Sequence, residues 1–302
     1  MSAIAAAFSD HHGYLWGLSY RMTGVAADAD EVVSETFARA LARAPSTDRP
    51  LKPWLTRVAV NLSQDRLRRR RRRRYHGPWL PSPVSVEALM VPEAAPSPEA
   101  RVGVAESLSY AFLVALEALT PRQRAVLLLR DVFELSVAEA ASVLEMGASN
   151  VKVTLHRARK ALAAADPGRV YREDTPERAM AALGRLLQCM AAGDIEGARD
   201  AFSEDAVVLT DGGGEYSAAG VPVVGLERIM KFFQSLMART GPDMTMALRE
   251  LNGVTVVIGA HTPTHPTQAP RWVNLVDVDE AGRVRRFYSV MASGKLTGIP
   301  VV

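Results

Sequence analysis

Seven consecutive arginines, Arg68 to Arg74, are the residues of this sequence with the most definite chemistry. Together with Arg66 they place eight cations in nine positions, beside the acid Asp65. Like charges one turn apart on a helix repel each other, so such a run favours contact with an external anion or with open water. The phosphate backbone of a nucleic acid is one such anion, because cations that bind it release condensed counterions. A solvated, disordered basic segment stays open as the alternative.

The basic excess of the 302-residue chain lies in its N-terminal quarter. Residues 1–80 carry 14 Lys and Arg against 7 Asp and Glu, whereas the net charge of the whole chain is only +3. This asymmetry indicates a polyanionic partner for the N-terminal segment. The sequence has one cysteine, Cys189, which excludes an intrachain disulfide, and it shows no signal peptide or membrane-spanning apolar run. We therefore expect a soluble, cytoplasmic protein with no membrane partner.

Side chains suited to catalysis are few and scattered. Asp277, His261 and Tyr288 are candidates, but no spacing joins them into a recognisable constellation. His261 and His265 stand close in sequence, but without a further cluster of ligands a surface loop is favoured over a metal site. We expect no enzyme activity, no metal and no cofactor.

Helical periodicity predicts the elements that position the arginine run. Residues 1–74 predict three helices, the third running from Trp54 into the arginines. Six prolines then fall between Pro78 and Pro98, which indicates a stiff, extended linker. From about residue 176, helices followed by strands predict an α+β domain with an antiparallel sheet.

A second helical block, about 101–166, has the pattern of a helix-turn-helix. Thr120 and Ser136 each begin a capping box, and a turn containing Gly147 separates the last two helices. Ser149 is predicted to cap the final helix, which has basic residues and no acid on its polar face. A solvated helix in a bundle is the alternative. The residues predicted to contact DNA are Ser149, Asn150, Lys152, Thr154, His156, Arg157, Arg159 and Lys160.

The two helical blocks together resemble the extracytoplasmic-function sigma factors of the sigma-70 superfamily. The stretches that carry this resemblance are, in order, DEVVSETF at 30–37, WLTRVAVNL at 54–62, LTPRQRAV at 119–126 and LHRAR at 155–159. The resemblance implies that residues 1–75 are region 2, which binds core RNA polymerase and the −10 promoter element. It implies that residues 76–100 are a linker and that residues 101–166 are region 4, which binds the −35 element.

The same resemblance assigns roles to residues of the first block. It implies that the loop before the third helix captures a flipped −10 base, which is physically reasonable because unstacking one base costs only a few kcal/mol. It places the core polymerase contact on Asp30, Glu31 and Glu35. The residues implied to face the −10 element are Ser46, Thr47, Asp48, Asn61, Asp65, Arg66, Arg68 and Arg69.

Residues 176–296 resemble the SnoaL-like branch of the NTF2-like cone fold, in which a curved sheet and helices surround a pocket. Three short motifs resemble those of a sigma-factor subgroup with such an extension: WLPSP at 79–83 for the usual WLPEP, DGGGE at 211–215 for DGGGK, and ASGKL at 292–296 for NPDKL. A tight turn is the physical alternative for the glycines. The residues implied in interdomain regulation are Trp79, Leu80, Pro81, Asp211, Gly212, Gly213, Gly214, Lys295 and Leu296.

The sequence therefore predicts a multidomain protein with two all-α domains followed by an α+β cone-shaped domain. Its predicted function is that of a sigma factor that binds core RNA polymerase and promoter DNA and is regulated in cis by its C-terminal domain, whose pocket could hold a small-molecule ligand. One alternative is a ligand-responsive helix-turn-helix regulator that never engages polymerase. Another is a SnoaL-like enzyme fused to a transcription module, since fold alone does not establish chemistry.

Overall fold

The computed structural model describes residues 3–43, 50–73, 75–85, 107, 109–166, 175–237 and 243–301. The chain forms two compact units. The first consists of Met1–Arg74 and Glu87–Gly168, and the second of Tyr75–Val86 and Arg169–Val302. None of the described helices is long and apolar enough to cross a lipid bilayer.

Three helices open the first unit: α1 (Ala3–Thr23), α2 (Ala26–Arg43) and α3 (Leu51–Arg72). They form as expected from the spacing of their apolar residues, and Leu15, Val32 and Leu55 are fully buried between them. Gly24 ends α1 in the left-handed region, with φ at 74°. The helix α3 continues through the arginine run as far as Arg72.

The second helical block comprises α4 (Tyr110–Ala115), a 3-10 turn at Leu116–Ala118, α5 (Pro121–Leu127), α6 (Val137–Leu144) and α7 (Ala148–Ala165). Both predicted capping boxes are present, at Thr120 with Gln123 and at Ser136 with Glu139. The end of α5 widens into a π-helical turn at Leu128–Val132. The expected cap at Ser149 is wrong, because α7 begins one residue before it, with Gly147 in the capping position.

The two helical blocks pack against each other within the first unit. The rings of Tyr14 and Phe133 meet edge to face with centroids 5.1 Å apart. The buried side chain of Arg21 donates to the hydroxyl of Ser107 at 3.1 Å, and burial lowers the pKa of this guanidinium to about 10. Arg57 of α3 donates to the Ser142 carbonyl at 2.8 Å and to Glu145 at 3.0 Å, so α3 contacts the end of α6.

The second unit begins with α8 (Thr175–Ala192), α9 (Ile195–Asp200) and, after two strands, α10 (Leu226–Met237). Its strands are β1 (Phe202–Asp211), β2 (Val223–Val224), β3 (Thr245–Leu251), β4 (Val254–Ala260), β5 (Arg271–Val278) and β6 (Val284–Val290). They form one sheet in the order β2-β1-β6-β5-β4-β3. The rings of Phe202, Phe233 and Phe287 form its aromatic core, with Phe233 5.7 Å from Phe202 and 5.2 Å from Phe287.

The expectation of a purely antiparallel sheet is wrong. The first and last strands, β1 and β6, pair in parallel, with Val208 opposite Phe287. The other strand pairs are antiparallel. Strands that are distant in sequence can pair in parallel because the helix α10 and the intervening strands provide the crossover between them. The predicted α+β class is unaffected.

Candidate nucleic-acid interface and linker site

The helix α7 presents a basic face to solvent and an apolar face to its own block. Val151, Leu155 and Ala158 are buried, as their spacing predicted. Thr154 is half-buried. The remaining predicted DNA contacts are all exposed: Ser149, Asn150, Lys152, His156, Arg157, Arg159 and Lys160. The geometry therefore leaves this helix face open for a polyanion.

One cation of this face has an internal partner. The guanidinium of Arg159 makes two hydrogen bonds to the Asp131 carboxylate, at 2.7 and 2.8 Å. These bonds raise the pKa of Arg159 above its usual value, and the side chain remains largely exposed. An exposed pair of this kind is worth at most about 1 kcal/mol, so a phosphate can displace the carboxylate.

Four of the residues predicted to face the −10 element lie exposed along α3. Asn61, Asp65, Arg68 and Arg69 are spaced by four, three and one positions, which places them on one side of the helix. Arg68 donates to Asp65 at 2.7 Å. Arg66 is half-buried. The other three residues predicted for this site, Ser46, Thr47 and Asp48, lie outside the described residues.

The carboxylates predicted to contact core polymerase each have a partner within the first block. Asp30 accepts from the Trp16 indole at 2.6 Å. Glu31 pairs with Arg66 at 2.7 Å, and Glu35 pairs with Arg39 one turn along at 2.8 Å. Arg66 also approaches Asp28 at 3.6 Å. A residue predicted to bind DNA and one predicted to bind polymerase are thus paired with each other.

Part of the arginine run is engaged with the second helical block. Arg70 donates to the carboxylate of Glu117 and, at 2.7 Å, to the carbonyl of Thr23. Arg71 donates to the carbonyl of Leu119. Arg124, which is 1% exposed, donates to the other oxygen of Glu117 at 2.7 Å. The expectation that the whole run meets external anions or open water is therefore wrong for Arg70, whereas Arg71 remains exposed despite its bond to Leu119.

Glu117 and Arg124 are not among the site residues predicted from the sequence. The signal was a charged residue at 124 directly before the apolar stretch Ala125 to Leu129, because a cation placed there needs a partner. Burial alone would raise the pKa of Glu117. The charges of Arg124 and Arg70 have a larger, opposite effect, so the pKa lies below its ordinary value of 4.5. Burial lowers the pKa of Arg124, and Glu117 opposes that effect.

In the second unit, Asp211 at the end of β1 is the centre of a buried polar cluster. Its Oδ1 atom accepts from the Tyr75 hydroxyl at 2.5 Å and from the Gly213 amide at 2.9 Å. Its Oδ2 atom accepts from the Leu80 amide at 2.7 Å and from the ammonium of Lys295. The carboxylate is fully buried, so these bonds replace its lost hydration.

Lys295 completes this cluster from the C-terminal side. Besides Asp211, its ammonium binds the Leu80 carbonyl at 2.6 Å and the Tyr75 hydroxyl at 3.1 Å. It also lies 4.1 Å from the centre of the Trp79 ring, a cation–π contact. Leu80 and Leu296 are buried, as is Pro81. The structure thus brings together the three motifs that the sequence analysis selected.

The predicted glycine turn is also present. Gly213 and Gly214 have φ of 66° and 77°, in the region that favours glycine. At Gly212 a β-carbon would lie 2.4 Å from the carbonyl oxygen of Tyr216. Two positions at which the sequence departs from the motifs of the resembling subgroup contact each other, since Ser293 donates to the carboxylate of Glu215.

The linker residues 75–85 adopt no regular secondary structure and belong to the second unit. Val84 exchanges two hydrogen bonds with Asn252, at 2.9 and 3.1 Å. Ser82 and Val84 are buried. Residues 75–85, which were predicted to be a spacer, are therefore bound to the rest of the second unit. Tyr75 was not among the predicted site residues, because its partners lie 136 and 220 positions away.

The three residues considered for catalysis lie on separate strands or loops. Asp277 on β5 pairs with Arg285 at 2.6 Å. A ring nitrogen of His261 lies 3.0 Å from the Ala269 carbonyl, within the loop that follows β4. Tyr288 on β6 is 1% exposed. Within the described residues, these contacts do not join the three side chains to one another.

Comparison with known proteins gives a consistent result over the whole chain. The Sigma-70 region 2 family matches residues 7–73, the Sigma-70, region 4 family matches residues 109–162, and the SnoaL-like domain family matches residues 183–287. The ECF RNA polymerase sigma factor SigJ of Mycobacterium tuberculosis is 33% identical over 296 residues, which is 95% of this chain and 91% of that protein. SigG of the same species is 35% identical over 207 residues, which is 62% of this chain and 56% of that protein.

The fold comparison agrees. The crystal structure of Mycobacterium tuberculosis SigJ aligns with a TM-score of 0.74 and 27% identity, covering 99% of this chain and 100% of that one. The order of two helical segments and a SnoaL-like domain is therefore shared along the full length. This chain belongs to the extracytoplasmic-function (ECF) RNA polymerase sigma factors and carries a C-terminal SnoaL-like domain.

Proposed function

We propose that this chain directs bacterial RNA polymerase core to promoters, with α7 reading the −35 element. The exposed, acid-free face of α7 carries the proposal, because α7 is the second helix after a short turn and its opposite face is buried, which is the arrangement of a helix-turn-helix. Asn150, Lys152 and Thr154 lie toward its N-terminal half, from which such helices reach base edges. Arg157, Arg159 and Lys160 lie further along the helix, where cations bind phosphates.

The exposed side of α3 is proposed to face the −10 element. Asn61 is the polar group suited to a base edge, and Arg68 and Arg69 are suited to phosphates. Arg66 is proposed to join this surface of α3 when a DNA phosphate replaces Glu31 as its ion-pair partner. The loop residues Ser46, Thr47 and Asp48 are proposed to receive the flipped base.

The acidic face of α2 is proposed to bind the polymerase core. Glu31 and Glu35 are exposed, and their ion pairs with Arg66 and Arg39 lie at the surface. Exposed pairs are worth about 0–1 kcal/mol, so basic groups of a partner can replace them at little cost. Asp30 is exposed beside them and holds the Trp16 indole.

The C-terminal domain is proposed to regulate the sigma function in cis by binding the linker. The buried cluster around Asp211 and Lys295 fixes Tyr75, Trp79 and Leu80, and Tyr75 follows the arginine run directly in the sequence. A fused domain meets its target at an effective concentration of roughly millimolar, so even a weak contact is populated. No catalytic role is assigned to this domain, since Asp277 is held by Arg285.

Run-off transcription with purified core polymerase on the DNA upstream of this protein's own gene tests the sigma function. Product is expected with the full chain and not with core alone. Lys152→Ala should reduce the amount of product. Lys231→Met, which replaces an exposed lysine on α10, should leave it unchanged. Absence of product, together with tight and sequence-specific binding of the protein alone to the same DNA, would support the helix-turn-helix regulator instead.

Truncation after residue 170 and substitution of Lys295 test the regulation. We expect both changes to alter the amount of product relative to the full chain. Lys295→Met removes the ion pair to Asp211 and keeps much of the side-chain volume, with Lys231→Met as the matched control. Equal transcription by the full chain, the truncated chain and the Lys295→Met variant would remove the regulatory proposal and leave the sigma function intact.

A small-molecule ligand of the C-terminal domain is a second proposal, supported by a polar row across the sheet. Thr210, Ser289 and Asn274 stand directly opposite one another on β1, β6 and β5. Among the described residues, the buried Oδ1 atom of Asn274 has no hydrogen-bond partner. A ligand hydroxyl or amide would supply one. Native mass spectrometry of protein purified from its host should show a bound mass that Asn274→Val removes.

A further inference from the structure

Glu117 lies between two guanidinium groups that come from different helical blocks. Its Oε1 atom binds Arg124 of its own block at 2.7 Å, and its Oε2 atom binds Arg70 of α3. The side chain of Glu117 is 25% exposed, that of Arg70 is 19% exposed, and that of Arg124 is 1% exposed. One carboxylate thus neutralises two largely buried cations at the junction of the blocks.

Main-chain carbonyls of each block also accept hydrogen bonds from arginines of the other block. Arg124 of the second block donates to the Met22 carbonyl of the first block at 2.9 Å. Arg70 and Arg71 of the first block reach Glu117 and the Leu119 carbonyl of the second block. The cluster of Arg70, Arg71, Glu117 and Arg124, called the junction cluster below, therefore bridges the blocks through charge-assisted bonds from each side.

The junction cluster uses the chemistry that a phosphate would use. Arginine binds carboxylates and phosphates with the same planar array of donors, so Glu117 occupies donors of Arg70 that would otherwise bind a phosphate oxygen. The net lowering of the pKa of Glu117 indicates that pairing with the two arginines outweighs the burial of its charge. Arg72 and Arg73 are exposed at the end of the run, outside the junction cluster.

Contact between the blocks also affects the promoter-reading helices. Arg57 of α3 binds the Ser142 carbonyl near the end of α6 and Glu145, which caps that helix before the turn into α7. The proposed −10 helix is therefore fastened to the proposed −35 reader. The −35 and −10 elements are about 25 base pairs apart, roughly 85 Å of duplex at 3.4 Å per base pair, so helices in direct contact must separate to read both.

We propose that the junction cluster is an autoinhibitory latch that DNA phosphates open. The Glu117 carboxylate holds Arg70, and the Leu119 carbonyl holds Arg71, while the helical blocks are packed together. Phosphates beside the promoter replace Glu117 on Arg70 and so favour separation of the blocks. This inference rests on the proposed function for its biological meaning, but the exchange of carboxylate for phosphate is tested without polymerase.

The first experiment measures binding of the full chain to a duplex of unrelated sequence by fluorescence anisotropy at several salt concentrations. Glu117→Gln is expected to bind more tightly than wild type. Its plot of log affinity against log salt should be steeper by about 0.9, because the variant frees Arg70 for one added phosphate contact. Glu134→Gln is the matched control, since it removes one exposed negative charge from the same block. Equal slopes for all three proteins would overturn the proposal.

The second experiment measures the distance between the blocks by double electron–electron resonance. Spin labels go on Ala42→Cys in α2 and Ala164→Cys in α7, both exposed, in a Cys189→Ser background. Wild type should give one short distance that lengthens when duplex DNA is added, and Glu117→Gln should lengthen it without DNA. If circular dichroism shows that Glu117→Gln is unfolded, Glu117→Asp, which keeps the charge but shortens its reach, replaces it with the same expectation. A distance that changes with neither DNA nor the variant refutes the latch while leaving the sigma function untouched.

Discussion

The carboxylate of Asp211 and the ammonium of Lys295 form a buried ion pair across 84 positions of sequence, and the Leu80 amide and carbonyl bind its two ends. The linker thus closes the pair by supplying one donor and one acceptor. Because both charged groups are buried, the linker's donor and acceptor replace part of the hydration that they lose on folding. The cluster therefore couples the fold of the C-terminal domain to the conformation of residues 75–80.

Asp211→Asn is expected to destabilise the second unit by about 3–5 kcal/mol, since it leaves the buried Lys295 without a counter-charge. Urea unfolding followed by tryptophan fluorescence measures the change, because Trp79 lies on Lys295. Glu204→Gln, at an exposed site on β1, is the control and should change stability by less than about 0.5 kcal/mol. The double variant Asp211→Asn with Lys295→Met should lose less than the sum of the two single losses. Additive losses would contradict direct coupling.

The loss of stability caused by alanine substitutions in the glycine turn should follow the space and the φ angle at each glycine. In Gly212→Ala the new β-carbon would meet the Tyr216 carbonyl oxygen at 2.4 Å, so the backbone must shift. In Gly214→Ala there is space, and the cost comes from φ of 77°, about 1–2 kcal/mol. Gly220→Ala, with no atom within 4 Å of the new β-carbon, is the control. Thermal unfolding should give the order Gly212, Gly214, Gly220 from largest to smallest loss, and a different order would contradict the account of the turn.

Local patterns could be predicted from the sequence, whereas long-range pairing could not. The capping boxes at Thr120 and Ser136 and the buried face of α7 depend on spacings of three or four residues, and they were confirmed. The parallel pairing of β1 with β6 was missed because neither strand carries a signal for its distant partner. Glu117 and Tyr75 were missed for the same reason, since their roles depend on Arg70 and Asp211.

The stability contributed by Glu117 should depend on pH with a definite sign. The pKa of Glu117 in the folded chain is lower than 4.5, its ordinary value. A lowered carboxyl pKa stabilises the folded state above the unfolded value, and this stabilisation is lost as the pH falls through the folded pKa. The difference in unfolding free energy between wild type and Glu117→Gln should therefore be largest at neutral pH and shrink below about pH 4.5. Urea titrations at a series of pH values measure it, and a difference that grows on acidification would contradict the assignment.

Two residues of α7 should affect DNA binding in different ways. Asn150→Ala is expected to reduce the preference for the cognate −35 sequence by about 1–3 kcal/mol, because an amide side chain distinguishes base edges. Arg157→Ala should weaken binding to all sequences and reduce the salt slope by about 0.9, as loss of one phosphate contact does. Competition binding of the polymerase holoenzyme to cognate and mutated −35 duplexes separates the two effects. A sequence-dependent loss with Arg157→Ala would show that its role is misassigned.

The arginine run should divide into two functional parts. Arg72 and Arg73 are exposed, so replacing both with Gln removes cations available to DNA and should weaken open-complex formation and its salt dependence. Replacing Arg70 and Arg71 with Gln removes phosphate ligands and also releases the contact with Glu117 and Leu119. The second pair should therefore show a smaller loss of DNA affinity than the first pair, together with a lower stability of the first unit. Permanganate footprinting of the melted region measures open complexes, and urea unfolding measures stability. Neither double variant should alter promoter choice, and a changed preference among promoters would place the arginines at base edges instead of the phosphate backbone.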